Sequence, residues 1–173
     1  KKYLKENNLQ IQSNFIAKIC FKKNLPNNSR YLRICINAAE KSKYFSLTEN
    51  EFKKEYIYYY KNKVNKFLRE NDHIFKNFFI NEFIKNIEVF QLSVDYFDNF
   101  IREFLYKINL SNFLITCLSF DKKKKITIDD YIEVLSAISK STQNSENTKT
   151  LIINFFKKID KNCLFLRLFD VYC

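Results

Sequence analysis

Few residues of the chain have the chemistry and spacing of a catalytic group. His73 is the only histidine, and it follows Asp72 where the pattern indicates a helix start, so we expect a solvated or capping role. Pairs of carboxylates could act as general acid and base, but negative charge at a helix N-terminus also stabilises the helix dipole. Each pair lies at such a predicted start: Glu49/Glu51, Asp95/Asp98 and Asp129/Asp130. We therefore predict no catalytic residue and no enzyme.

The cysteines are scattered through the chain and form no CxxC pair. They are Cys20, Cys35, Cys117, Cys163 and Cys173. One histidine and dispersed cysteines lack the ligand spacing of a zinc site, so we predict no metal. Buried, reduced cysteines are typical of proteins in reducing compartments. The pattern favours a cytoplasmic protein whose thiols lie in the core.

Glycine is absent from the sequence, and proline occurs once. Without glycine the chain cannot form a phosphate-binding P-loop, a dinucleotide-binding fingerprint or a nucleophile elbow, so no cofactor is predicted. No apolar run approaches the ~18 residues that a membrane helix needs, so we predict no membrane span. This composition favours long helices joined by polar loops.

A basic and aromatic stretch at residues 53–69 could bind nucleic acid. The chain has a formal net charge of +11, and residues 1–72 carry 16 basic and 7 acidic side chains. Lysines neutralise phosphates, and tyrosines stack on bases. The candidate residues are Lys53, Lys54, Lys61, Lys63, Lys66, Arg69, Tyr58 and Tyr59. In the alternative interpretation, the tyrosines of this stretch face the core and the lysines are only solvated.

The elements that must position these residues are predicted to be helices. Apolar residues recur at helical spacing in about eight segments, with separate stripes at 97–105 and 110–118. Strand signals are short and fall at 44–47, 89–92, 125–128 and 164–168. We predict an all-α fold of helix–loop–helix pairs with at most tiny β pairings. The charge distribution divides it into a basic lobe at 1–72 and a second lobe at 73–173, the alternative being one compact domain.

A short pattern recurs at the start of several predicted helices. An aliphatic residue is followed by a hydroxyl residue, then by polar residues and an aromatic, as in Leu47-Thr48-Glu49-Asn50-Glu51-Phe52 and Ile126-Thr127-Ile128-Asp129-Asp130-Tyr131. Thr48, Ser93 and Thr127 are predicted N-caps, with Glu51 or Asp130 completing a capping box. These segments are either ordinary helix starts or units of a helix–loop–helix repeat.

The repeat resembles a degenerate EF-hand, and the chain is similar to calmodulin-like and myosin-light-chain-like proteins. In CLSFDKKKKITIDDYIEVL, Ile126 falls at the aliphatic position of a loop of about 12 residues, and Asp130 falls at its last acidic position. The chain departs from the EF-hand because it lacks the turn glycine and places lysines at 122–125, where oxygen ligands should stand. We therefore expect no calcium binding.

The resemblance implies a non-enzymatic interaction module that clasps a helix of a partner protein without calcium. The residues predicted to line its partner-binding groove are Phe52, Phe97, Ile101, Tyr131, Ile132 and Leu135. The basic charge favours an acidic partner, and a homodimer is left open. The alternative function is that of a basic all-α protein that binds RNA or DNA. The two functions differ in salt dependence, since nucleic-acid binding weakens steeply as salt is added.

Overall fold

The computed structural model describes residues 16, 17, 20, 21, 29–85, 94–120 and 125–143. These residues form α-helices and one π-helical segment, and no strand occurs in these ranges, which confirms the all-α prediction. Residues 44–47 form turns rather than the predicted strand, and residues 125–128 lead directly into a helix. The other two predicted strands, and the helices predicted near residues 9–21 and 151–159 except for residues 16, 17, 20 and 21, lie outside the described residues. The count of about eight helices therefore stays a prediction.

Helix α1 spans Arg30–Lys41 and ends in a turn that other proteins usually build with glycine. The backbone N–H of Tyr44 donates to the carbonyl of Ala39, and that of Lys43 donates to Glu40, both at 3.0 Å. This Schellman arrangement needs a left-handed residue, and Lys43 supplies it with φ of 52°. Because the chain has no glycine, a residue with a Cβ atom must take this conformation.

The next helices follow one another without a break. Helix α2 spans Glu49–Tyr59, a π-helical segment spans Tyr60–Val64, and helix α3 spans Asn65–Glu70. In the π-helical segment, the Asn65 N–H donates to the carbonyl of Tyr60, five residues earlier. The adjacent Tyr59 and Tyr60 are both buried, and Val64 is fully buried. The tyrosines of this stretch, apart from the exposed Tyr58, thus contribute to the core.

Two capping boxes form where the sequence predicts them. The Thr48 N–H donates to Glu51 Oε2 at 2.8 Å, and the Glu51 N–H donates to Thr48 Oγ1 at 3.3 Å. At the start of helix α6 (Ile128–Gln143), the Thr127 N–H donates to Asp130 Oδ2 at 3.1 Å. The Asp130 N–H donates in return to Thr127 Oγ1 at 3.2 Å. Each pair satisfies backbone groups that a helix start leaves without partners. Ser93 lies outside the described residues.

Helix α4 spans Asp72–Lys85, and helix α5 spans Val94–Leu118. The sequence predicts two helices, at 97–105 and 110–118, where the structure has the single helix α5. The polar residues Asn109 and Ser111 are compatible with an unbroken helix because their side chains donate to carbonyls of the preceding turn. Asn109 Nδ2 donates to the carbonyl of Leu105 at 2.7 Å, and Ser111 Oγ donates to that of Lys107 at 2.8 Å.

The C-terminal half of α5 is the centre of the core. Residues 105–117 are buried without exception, and α1, α2, the π-helical segment and α6 all pack against α5. The Phe113 ring lies 5.4 Å from Phe21 and 5.5 Å from Tyr56, measured between ring centroids. Both predicted lobes contribute to this core, while the proposed boundary between residues 72 and 73 stays a prediction.

Helix α4 and, in the first half of α5, Phe97 and residues 100–104 form a less buried, phenylalanine-rich surface, which we call the phenylalanine arm. No residue of α4 is buried, and Ile80, Ile84 and Phe97 are exposed. The ring centroid of Phe79 lies 4.9 Å from that of Phe104 and 6.2 Å from that of Phe100, and the Phe78 centroid lies 5.6 Å from that of Phe104. Among the described residues, no helix is long and apolar enough to cross a membrane.

Replacing Lys43 with glycine should stabilise the protein. A left-handed conformation costs a residue with a Cβ atom roughly 1–2 kcal/mol, and glycine avoids this cost but loses more entropy on folding. We expect Lys43→Gly to raise the free energy of unfolding in urea by about 0.5–1 kcal/mol. Lys41→Gly, inside the last turn of α1, is the matched control and should lower it. A loss of stability in both variants would contradict the role assigned to Lys43.

The capping box at α2 should make stability depend on pH. The hydrogen bonds from Thr48 hold the pKa of Glu51 below its ordinary value. A carboxylate with a lowered folded-state pKa stabilises the fold above its unfolded-state pKa, and this contribution is lost as the pH falls through the folded-state pKa. We expect the melting temperature of the wild type to be higher than that of Glu51→Gln at neutral pH. This difference in melting temperature should disappear as the pH is lowered. Glu55→Gln, which lies outside the cap, is the matched control; an identical pH profile for both variants would refute the assignment.

Candidate functional site

A cleft of about 150 Å³ opens between α1, the end of α5 and the start of α6. Its floor is apolar and is formed by Ile34, Ile115, Leu118, Ile126 and Val134. Ile115 and Val134 are buried, and the other three are half-buried. An apolar floor of this kind suits the aliphatic part of a ligand, and the polar residues on the rim decide which ligand.

The rim of the cleft has acidic and basic side chains. Asp130 and Glu133 come from α6, Lys41 comes from the last turn of α1, and Lys125 precedes α6. Glu133 Oε1 lies 3.1 Å from a terminal guanidinium nitrogen of Arg30, and both side chains are about half exposed. Since Arg30 and Lys41 stand at opposite ends of α1, Glu133 lies at the end of α1 remote from Lys41.

The end of α5 that closes the cleft is held by a lysine. Lys63 Nζ donates to the carbonyl of Ser119 at 3.1 Å and lies 5.6 Å from the centroid of the Tyr59 ring. Ser119 itself is buried and lines the cleft. A positive charge at the carboxyl end of a helix stabilises its dipole. Lys63, predicted as a nucleic-acid contact, therefore has a structural role at this helix end.

Several other residues of the predicted basic set are engaged in local contacts. Lys53 pairs with Glu49 at 3.7 Å, and Lys66 pairs with Glu70 at 3.8 Å. Lys54, Lys61 and Arg69 are exposed, as is Tyr58. Tyr59 is buried, and its ring is stacked 4.6 Å from Phe120. The set thus does not form a continuous surface of unpaired charges and exposed rings.

The structure does not assemble the predicted apolar groove. Phe52, Tyr131 and Leu135 are core residues, at 1%, 3% and 7% exposure, so no partner helix can reach their side chains. Phe97 is exposed in the phenylalanine arm, Ile101 is half-buried on α5, and Ile132 is exposed on α6. The helical spacing identified residues that face the core, and a core face has the same pattern as a binding face.

The described cysteines are buried thiols. Cys20, Cys35 and Cys117 lie in the core, and Cys20 Sγ is 3.8 Å from the hydroxyl of Tyr31. Burial raises the pKa of Cys20 and that of Cys117 well above the ordinary value. A protonated thiol is neither a nucleophile nor a metal ligand. No group of three or more metal-binding side chains comes together in the ranges that the structure describes.

The comparison with known families decides the class of protein. The family model described as the FliB lysine N-methylase C-terminal domain matches residues 1–166. The chain belongs to this family. No curated protein and no solved structure matches it. The FliB C-terminal match covers nearly the whole chain, from before α1 to beyond α6.

Membership of the FliB lysine N-methylase family corrects the predicted resemblance and function. The similarity to calmodulin-like and myosin-light-chain-like proteins is wrong, and with it the calcium-insensitive clasp and the nucleic-acid alternative. The prediction that the protein is no enzyme is also overturned, because the family is one of lysine N-methylases. The physical cause of the error is visible at Asp130. Its carboxylate accepts hydrogen bonds from Thr127, so the acidic residue that suggested an EF-hand loop belongs to a capping box.

The cleft itself was not anticipated from the sequence. Ile34, Asn37 and Lys41 lie on one face of α1 at intervals of three and four residues. This spacing is the sequence signal from which that side of the cleft could have been predicted. The long-range pair of Arg30 with Glu133 could not be found, because the two residues are separated by 103 positions in the chain.

The buried thiols should resist alkylation until the protein unfolds. Burial excludes the reagent and, for Cys20 and Cys117, the raised pKa keeps the thiolate population small at neutral pH. We expect iodoacetamide to label the peptides containing Cys20, Cys35 and Cys117 at least about tenfold more slowly in native buffer than in urea, by mass spectrometry. Glutathione in the same solution controls for reagent activity. Equal native and urea rates would refute the buried placement.

Proposed function

We propose that the chain takes part in the methylation of lysine side chains in proteins, as the C-terminal domain of a lysine N-methylase. The observation that carries this proposal is the family match over residues 1–166. In such a reaction the lysine ε-nitrogen forms a bond to the methyl carbon while the bond between that carbon and its donor breaks. The nitrogen must first lose a proton, because an ammonium has no electron pair with which to attack.

Within this function, the described helices would serve to position a protein substrate. The core around α5 holds α1 and α6 in fixed relation, because both pack against α5 and against each other. The cleft between them presents an apolar floor with acidic and basic side chains on its rim. Under this proposal the partner is a protein that carries lysine, and the free, buried cysteines among the described residues favour a cytoplasmic setting.

Removal of the protein from its source cell should remove methyllysine from particular proteins. We expect mass spectrometry of the proteome to show methyllysine at defined sites in the wild-type cell and its loss in the deletion strain. Re-expression of the wild-type protein should restore the modification and controls for secondary effects of the deletion. A methyllysine profile that is unchanged by the deletion would overturn the proposed function.

A further inference from the structure

We propose that the cleft between α1, α5 and α6 binds a small aliphatic carboxylate. The hydrocarbon tail of this ligand would lie on the apolar floor, and its anionic end would lie between Lys41 and Lys125. The inference goes beyond the proposed function and does not depend on it. It is carried by the shape of the cleft and by which of the charges on its rim already have a partner.

Both carboxylates on the rim are already engaged within the protein. Glu133 Oε1 lies 3.1 Å from a guanidinium nitrogen of Arg30, which neutralises its charge. Asp130 Oδ2 accepts hydrogen bonds from the Thr127 N–H at 3.1 Å and from the Thr127 hydroxyl at 2.7 Å, and this capping box fixes its orientation. The acidic side of the cleft therefore offers a ligand no carboxylate that lacks a partner.

The lysines on the rim are not engaged in this way. Lys41 and Lys125 are exposed, and neither has an ion pair or a side-chain hydrogen bond to any residue that the structure describes. An ammonium donates strong, charge-assisted hydrogen bonds to a carboxylate. The charges that remain for a ligand of the cleft are thus positive, and the ligand that they favour is an anion.

The two lysines lie away from the Arg30–Glu133 ion pair. Arg30 begins α1 and Lys41 ends it, a separation of about 16 Å at about 1.5 Å per residue. Lys125 lies three residues before α6, whereas Glu133 is in the second turn of that helix. Asn37 lies one turn before Lys41 on the same face of α1 and adds an amide that can donate to the same anion.

The floor of the cleft determines the other part of the ligand. Its side chains are aliphatic and have no polar atom: Ile34, Ile115, Leu118, Ile126 and Val134. The volume of the cleft is about 150 Å³. An apolar cavity of about 150 Å³ in another protein holds benzene, so a tail of about five or six carbons fits this cleft. A hydrocarbon tail of that length buries apolar surface there, and a hydrophilic anion such as phosphate does not.

Asp130 is the charge that opposes this ligand. It lines the cleft in the first turn of α6, so its carboxylate repels an anion that approaches Lys125. Two lysines against one carboxylate still leave an excess of one positive charge, and the dipole of α6 offsets part of the charge of Asp130. Asp130 therefore weakens the binding of the carboxylate without reversing the preference for an anion.

Titration of the full 173-residue chain with 4-methylpentanoate tests the inference. Binding is followed by the shifts of backbone amide signals of the isotope-labelled protein. We expect shifts at residues 34–41, 115–119 and 125–134, with a Kd of about 1 mM for so small a ligand. The amide 4-methylpentanamide and the cation 4-methylpentylamine have the same tail and should bind several-fold more weakly. Acetate has the charge without the tail and should also bind more weakly.

Each comparison ligand can overturn the inference. Equal affinity for the carboxylate and the neutral amide would show that the lysines do not contribute. Tighter binding of the amine would show that the cleft prefers a cation. Acetate binding as tightly as 4-methylpentanoate would show an anion on surface lysines and no role for the floor. Shifts elsewhere on the protein would place the ligand outside the cleft.

Four variants test which charges act on the ligand. Lys41→Gln and Lys125→Gln should each weaken the binding of 4-methylpentanoate by about threefold to tenfold, and Asp130→Asn should strengthen it. Lys140→Gln is the matched control, because it removes an exposed lysine of α6 outside the cleft and changes the net charge equally. Circular dichroism confirms that each variant is folded. An equal loss of affinity in all three lysine variants would assign the effect to net charge and overturn the inference.

This inference and the proposed function can fail separately. If the deletion strain loses methyllysine while the cleft does not bind 4-methylpentanoate, only the carboxylate site is refuted. If the cleft binds the carboxylate while methyllysine is unchanged in the deletion strain, only the proposed function is refuted.

Discussion

The burial of the C-terminal half of α5 is the constraint on which the rest of the structure depends. A helix buried on all sides must satisfy every polar group internally, and this one contains asparagine, serine and threonine. The Thr116 hydroxyl donates to the carbonyl of Asn112 at 2.6 Å, and the Tyr131 hydroxyl of α6 donates to Asn112 Oδ1 at 2.8 Å. The second bond also positions α6, and with it the acidic side of the cleft. The polar residues of α5 therefore help to orient its neighbours.

The elements of the fold could be predicted from the sequence wherever the signal was local. The capping boxes at Thr48 and Thr127 depend on residues three positions apart, and both form as predicted. The predicted division of α5 into two helices failed because two separate apolar stripes, at 97–105 and 110–118, belong to one continuous helix. Only the surrounding helices, which exclude water, make the back-bonding of the Asn109 and Ser111 side chains more favourable than solvation.

The site was harder to predict because its features are not local. Phe52 and Tyr131 have the periodicity of a binding face, yet the same periodicity is required of any core face, and burial distinguishes the two. The cleft depends on α1 and α6 lying side by side on α5, which no spacing within either helix indicates. Asp130 was predicted as part of a capping box, but its place on the rim of the cleft depends on the position of α1. Composition was also misleading, since the absence of glycine excludes particular loops and not enzymes as a class.

The phenylalanine arm has a consequence for how the protein behaves at different ionic strengths. The charged residues of α4 form local ion pairs, Asp72 with Lys76 and Glu82 with Lys85. These pairs add no net charge to the surface around the exposed Ile80 and Ile84. We expect the net charge of +11 on the whole chain to oppose the approach of two such apolar surfaces. Repulsion of this kind reaches only about 8 Å at physiological salt and less at higher salt. Colloidal stability should accordingly be greatest in dilute buffer, and concentrated solutions should become turbid as salt is added.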